Sequence, residues 1–184
     1  SVNAAEAATV AAILTARLQG TLTLVHAYSE ASPELPTKGA FNALHQRWEA
    51  RLAEEANRLQ KLGAVVKTRL LPGSPSAVLL NVASHSKAGL MVVSSLGNFP
   101  PSRWLVGSVA ERIAQSSPIP ILVVRGDKSF RAWAAGSRPL RVLVGYDFTD
   151  TADAALSWIA ALQALGRCHI RAAYMASRKK AEAA

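Results

Sequence analysis

Short apolar, β-branched runs alternate with stretches of helical period along the first 125 residues, and few architectures satisfy that alternation. Val10, Ile13, Leu14 and Leu18 give an apolar stripe to an alanine-rich helix over 3–18, which Ser1 or Asn3 can cap and Gly20 ends. Thr21 to Ala27 is a strand. After a loop holding Pro33 and Pro36, residues 42–61 place Leu44, Trp48, Leu52, Ala56 and Leu59 three or four apart, as a long amphipathic helix requires. Ala64–Leu71 is a strand closed by Pro72-Gly73, and Pro75 opens a helix to about Ser86. Gly89–Val93 is a buried strand, 94–106 an irregular Gly/Pro/Ser segment, Gly107–Ser116 a helix, and Pro118–Val124 a last strand. Strands and helices of these lengths in alternation imply an α/β fold, an open, doubly wound parallel sheet with helices on both faces.

The same opening returns downstream. After a linker over 126–140, Arg141–Asp147 reads as a buried strand ending in an acid, followed by a helix over 151–165 and a strand over His169–Tyr174. Thr149-Asp150-Thr151-Ala152 matches Ser1-Val2-Asn3-Ala4, and Ala173-Tyr174 matches Ala27-Tyr28, a repeat of about 146–148 residues. That period is a tandem domain rather than a solenoid: residues 1–125 form one copy, and 141–184 begin another.

Composition narrows the function. Half of the 184 residues are apolar and 18% are charged, which suits a packed core. No apolar run approaches the roughly 20 residues that span a membrane, and the alanine-rich opening, interrupted by Glu6 and without a basic start, is not a secretory signal. The lone Cys168 excludes an internal disulfide or a cysteine-based zinc site and fits a cytoplasmic setting. The net charge of +9 is spread along the chain. Its densest patch, Arg178-Lys179-Lys180, is too small for a nucleic-acid arm, so neither nucleic acid nor membrane is an expected partner.

Motifs for chemistry are mostly missing. The sequence has no P-loop, no G-x-G-x-x-G after a strand, no metal-ligand spacing and no nucleophile elbow. His26, His45, His85 and His169 have no acid beside them in sequence. The informative stretch is Val93 to Arg112. It leaves the C-terminal end of a buried strand, the ligand edge of an open α/β sheet. Gly97 lets an anion approach the backbone, and Gly107-Ser108 opens a helix whose free N–H groups favour phosphate. Two uses of Ser108 stay open: a hydroxyl for a phosphate oxygen, or the first residue of an S-x-x-E capping box with Glu111.

Ala88–Val93, Ser102–Arg112 and Ser117–Arg125 make residues 1–125 resemble a universal stress protein domain, and 141–174 resemble the start of a second. The resemblance implies five parallel strands in the order 3-2-1-4-5 and pairing through the last strand, here residues 120–125, in a homodimer or with a tandem copy. It also implies an adenine-nucleotide site of pattern G-x-x-G-x₉-G-[ST]. Gly97, Gly107 and Ser108 match that pattern, with Asn98 and Val109 beside them, while Ser94 replaces its first glycine. Pro100-Pro101 removes two N–H donors from the loop. Adenine would lie near Ala27 and Val93. The family's acid after the first strand has its counterpart only in Asp147.

The expected function is a non-enzymatic stress-response module that binds ATP or AMP, Mg accompanying ATP, and signals through dimer or domain contacts. The alternatives are a nucleotide-free interaction scaffold with an unidentified protein partner and, last, a nucleotide hydrolase. No catalytic residue and no metal ligand is assigned. The family's first strand, central in its sheet, has no counterpart between Ser1 and the first helix. Residues ahead of Ser1 are the preferred source for it, and Arg141–Asp147 the alternative.

Overall fold

A computed structural model describes residues 1–29, 38–95 and 107–174. The chain divides into two compact units, Ser1–Asp127 and Lys128–Ala184. The first holds α1 (Val2–Leu18), β1 (Thr21–Tyr28), α2 (Lys38–Gln60), β2 (Val65–Pro72), α3 (Pro75–His85), β3 (Met91–Ser94), α4 (Ser108–Ser116) and β4 (Ile121–Val124). The second holds α5 (Lys128–Ala134), β5 (Leu140–Gly145), α6 (Asp150–Ala161), a 3₁₀ turn (Leu162–Leu165) and β6 (Cys168–Ala173). Among the described residues no helix is long and apolar enough to cross a membrane.

Local chemistry explains the element ends. Ser1 Oγ accepts the Ala4 N–H at 3.3 Å, which satisfies a donor the first helical turn leaves over. At the other end Gln19 turns left-handed and the Gly20 N–H bonds to the Thr15 carbonyl at 3.1 Å. The helix between them is buried at Ala7 and along Thr9–Leu14. Arg58 of α2 ties it down. One guanidinium nitrogen donates to Thr9 Oγ1 at 3.0 Å, and another to the Ala5 carbonyl at 3.1 Å. Two bonds to Glu55, at 2.7 and 2.6 Å, orient the guanidinium. Thr9, 1% exposed, in turn donates to the Ala5 carbonyl. Its burial is therefore tolerable, because its hydroxyl is satisfied.

All strand pairs are parallel. β1 runs beside β2 from Thr21↔Val65 to Tyr28↔Pro72, and β3 beside β4 from Met91↔Ile121 to Ser94↔Val124. In place of the expected five-stranded sheet, the described residues of the first unit form two separate two-stranded parallel sheets, β1-β2 and β3-β4. Helices hold the halves together. α1 packs on β1, β3 and β4, while α3 packs on β1 and α4. One core joins Ala83, Met91, Val93, Ala110 and Ile113. Another joins Ala12, Leu59 and Ala64, with Leu22 and Leu24 against it.

In the second unit β5 pairs with β6, from Leu140↔Cys168 to Gly145↔Ala173. The alternative source for the missing strand, Arg141–Asp147, thus has its strand partner in its own unit. The stretch read as a linker carries a helix, α5, which buries Trp133 to 2% exposure. Its indole stands at 90° to Phe130 and against Gly166. Thr149 Oγ1 caps α6 by accepting the Ala152 N–H at 3.2 Å, as Ser1 Oγ caps α1 through Ala4.

Candidate functional site

Of the residues singled out in the first unit, Ala27, Val93 and Ser94 stand at the C-terminal ends of strands, and Gly107, Ser108 and Val109 at the start of α4. Val93 and Ser94 end β3, and Ser95 follows, 2% exposed. The Ser95 N–H extends the ladder to the Val124 carbonyl at 2.9 Å, and its own carbonyl accepts the Gly107 N–H at 2.6 Å. The end of β3 and the start of α4 are therefore pinned to each other. Gly97 and Asn98, like Pro100 and Pro101, lie outside the described residues.

Gly107 caps α4 in an extended conformation (φ −61°, ψ 146°), so Ser108 is the first helical residue rather than the cap. The capping box expected as one use of Ser108 does not form. Its side chain is exposed, and Glu111 bonds to Gly107 through its backbone N–H, at 2.9 Å. The N–H groups of Ser108, Val109 and Ala110 have no carbonyl one turn earlier inside the helix, and they carry its positive dipole end. Ala110 and Ile113, both buried, anchor the short helix from below. Such an arrangement can hold an anion with backbone donors and one hydroxyl.

Ala27 lies near the end of β1, opposite Leu71. Beside it stands a cluster of rings that sequence reasoning missed. Tyr28 stacks on Trp48 at 5.1 Å and meets His45 edge-on at 5.5 Å, Phe41 lies 5.9 Å from Tyr28, and His26 lies 5.7 Å from Trp48. The spacing 41, 45, 48 along α2 was the available signal, masked because these rings read equally well as core. Burial pushes the His26 imidazole below its ordinary pKa.

Asp147 belongs to the second unit, just past β5, and is exposed. It accepts from the Thr149 hydroxyl at 2.6 Å and from the Thr149 N–H at 3.2 Å. These bonds hold its carboxyl below the usual carboxylate range. The Tyr146 hydroxyl donates to Asp153. Phe148, between them in sequence, has φ 65° and is 71% exposed, its ring edge-on to Tyr146 and Tyr174 at 5.0 Å each. A side chain in that left-handed region costs about 1 kcal/mol that glycine avoids, and a β-branched one costs more. Phe148→Val should therefore lower stability by about 1 kcal/mol or more, while Phe148→Gly should hold or raise it. Urea unfolding of the two variants checks this.

Comparison with known proteins places these features. Residues 1–125 match the model of the universal stress protein family. A universal stress protein of Methanocaldococcus jannaschii is 30% identical over 98 residues, covering 51% of this chain and 58% of that protein. A putative universal stress protein of Staphylococcus saprophyticus is 39% identical over 64 residues, 34% of this chain and 38% of its own length. The chain thus spans less than two thirds of either curated relative. Among solved structures, a universal stress protein in complex with cAMP is 25% identical and superposes with a TM-score of 0.56, covering 68% of this chain and 91% of that one. With the strand-to-helix junction at Ser95 and Gly107, and a family match over 125 of 184 residues, this chain belongs to the universal stress protein family.

Proposed function

We propose that the chain is a non-enzymatic stress-response module that binds an adenine nucleotide at the junction of β3 and α4. The observation that carries this is the start of α4: Gly107 takes the cap, and the Ser108 hydroxyl and the first-turn N–H groups stand beside the strand end, with no bonded partner among the caps and turns of the described residues. A relative 25% identical holds cAMP, which supports adenine nucleotides as the ligand class. In this reading phosphates lie over Gly97, Gly107 and Ser108, flanked by Asn98 and Val109, with adenine near Ala27 and Val93. ATP or AMP is the ligand, Mg accompanies ATP, and the setting is cytoplasmic. We read the two sheets as parts of one sheet in the family's order 3-2-1-4-5, with β2 and β1 supplying its positions 3 and 2 and β3 and β4 its positions 4 and 5. Its edge strand β4, with Val123 37% exposed, would pair with a second copy or a tandem domain.

Equilibrium dialysis with ATP, AMP and cAMP tests the site. Gly107→Val puts a branched side chain where the phosphate meets the helix, and should weaken binding at least about tenfold, or about 1.4 kcal/mol. Unchanged affinity would sink the placement. Ser94 and Pro100-Pro101 favour a second reading, a scaffold without nucleotide. Under that reading the purified wild-type chain retains none of the three ligands.

A further inference from the structure

Two turns of the first unit meet at the end of the sheet where β1 and β2 begin. The turn from α1 into β1 carries Arg17-Leu18, and the turn from α2 into β2 carries Lys61-Leu62. The register sets Thr21 beside Val65, so both strands start at one level. Gly63, at φ 86°, brings the second turn against α1: a methyl there would stand 3.7 Å from Ala16 Cβ. The corner so formed is apolar and bare. Leu18 is 57% exposed, Leu62 36% and Val65 61%. Lys61 and Lys67 stand exposed beside them. Residues 7–29 and 56–110, which build the corner, contain no aspartate or glutamate. Cations near the last turns of helices complement the helix dipole. That accounts for the lysine after α2 and not for three aliphatic side chains left in water at one corner.

We propose that this corner docks on an anionic lipid surface, with Leu18, Leu62 and Val65 entering the headgroup boundary and Lys61 and Lys67 resting on the lipid anions. Charge complementarity selects an anionic partner, because the two stretches that build the corner supply cations and no carboxylate. The relief selects a lipid surface over a protein or a nucleic acid. A partner helix buries its apolar stripe in a groove, whereas these three side chains project from two turns and a strand start. Single-stranded nucleic acid is held by rings that stack on bases, and no residue of the corner is aromatic. A second copy of the corner would set lysine against lysine. Lysine stems, by contrast, lie along a bilayer while their ammonium groups stay wet. The expectation of no membrane partner rested on the small basic tail and on the lack of a spanning run. A peripheral contact needs neither, and the corner exists only once the two turns meet. It lies at the N-terminal ends of the strands, and the candidate nucleotide site at C-terminal ends, so this proposal does not rest on the nucleotide reading.

The test is sedimentation of the full chain with phosphatidylcholine vesicles, plain or carrying about one third phosphatidylserine. The expected result is binding to the anionic vesicles that weakens at least about tenfold between about 0.1 M and about 0.5 M salt. Leu18→Gln with Leu62→Gln should lower that binding by about tenfold, and Lys61→Gln with Lys67→Gln by about twentyfold. All four positions are exposed, so circular dichroism should show the fold kept. Arg47→Gln with Arg51→Gln removes the same charge from exposed positions farther back on α2, and should lower binding by less than about threefold. Four results would overturn the proposal. The first is no sedimentation with anionic vesicles, and the second is equal sedimentation with plain ones. The third is no loss in the leucine pair, which would reduce the effect to the attraction of a chain of net charge +9. The fourth is an equal loss in the arginine pair. Saturable binding of an acidic, leucine-rich peptide in place of vesicles would also overturn it, and would assign the corner to a protein. Gly107→Val should leave sedimentation unchanged, so failure of the nucleotide reading and failure of the lipid reading are distinguishable.

Discussion

Ile113→Ala should destabilise the first unit by about 3 kcal/mol, within the usual range for truncating a buried aliphatic side chain. Ile113 is 0% exposed and lies among Ala83, Met91, Val93 and Ala110, with Leu79, Leu80, Ile119 and Ile121 around them. α3, β3 and α4 all contribute to that cluster, so no single side chain can move in to fill the space. The loss should reach beyond stability. α4 has nine residues and buries only Ala110 and Ile113, so little else fixes the direction of its N-terminus. On the proposed reading of the site, nucleotide affinity should fall along with the melting temperature, and more than for Ile113→Val, which removes a single methyl and costs about 1 kcal/mol. Thermal melts followed by circular dichroism, with dialysis well below the midpoint, separate the two effects. A melting temperature unchanged in Ile113→Ala would refute this account of the core.

Gly166→Ala should cost the second unit about 2 kcal/mol through crowding alone. The backbone there is extended (φ 164°, ψ 173°), which any residue adopts, so torsion is not the obstacle. A methyl at that position would stand 2.8 Å from Trp133 Nε1 and 2.9 Å from Cε2. The indole is 2% exposed, edge-on to Phe130, and has little room to retreat. Trp133→Phe in the same chain removes the crowded ring edge. The double variant should therefore lose less than the two single losses added together. Urea unfolding monitored by far-ultraviolet circular dichroism gives all the values needed. Strict additivity would show that the two residues do not press on each other.

The start of α4 shows how far sequence reaches. Gly107-Ser108 after a strand marks a helix opening and an anion-binding geometry, but S-x-x-E fits a capping box equally well. Which residue caps depends on where the chain is already held. The 2.6 Å bond from the Gly107 N–H to the Ser95 carbonyl fixes Gly107 just before the helix, and so places Ser108 inside it. Spacing alone contains no trace of that bond, because its partners are twelve residues apart. The ring cluster on β1 and α2 was equally ambiguous, since aromatic residues at helical spacing suit a core as well as a surface.

The sequence by itself determined the order of the elements and their parallel pairing class. These follow from apolar periodicity, from glycine and proline stops, and from caps such as Ser1 and Thr149, all of them local effects of the chain. Tertiary structure alone decided the rest. Lys128–Ala134 is helical although its seven residues carry too little period to announce a helix, and it is fixed by burying Trp133 against Gly166. β5 took β6 as its partner, β1 took β2 and β3 took β4. Strand neighbours are chosen by the burial of whole faces and by backbone groups distant in sequence, and no local pattern encodes that choice.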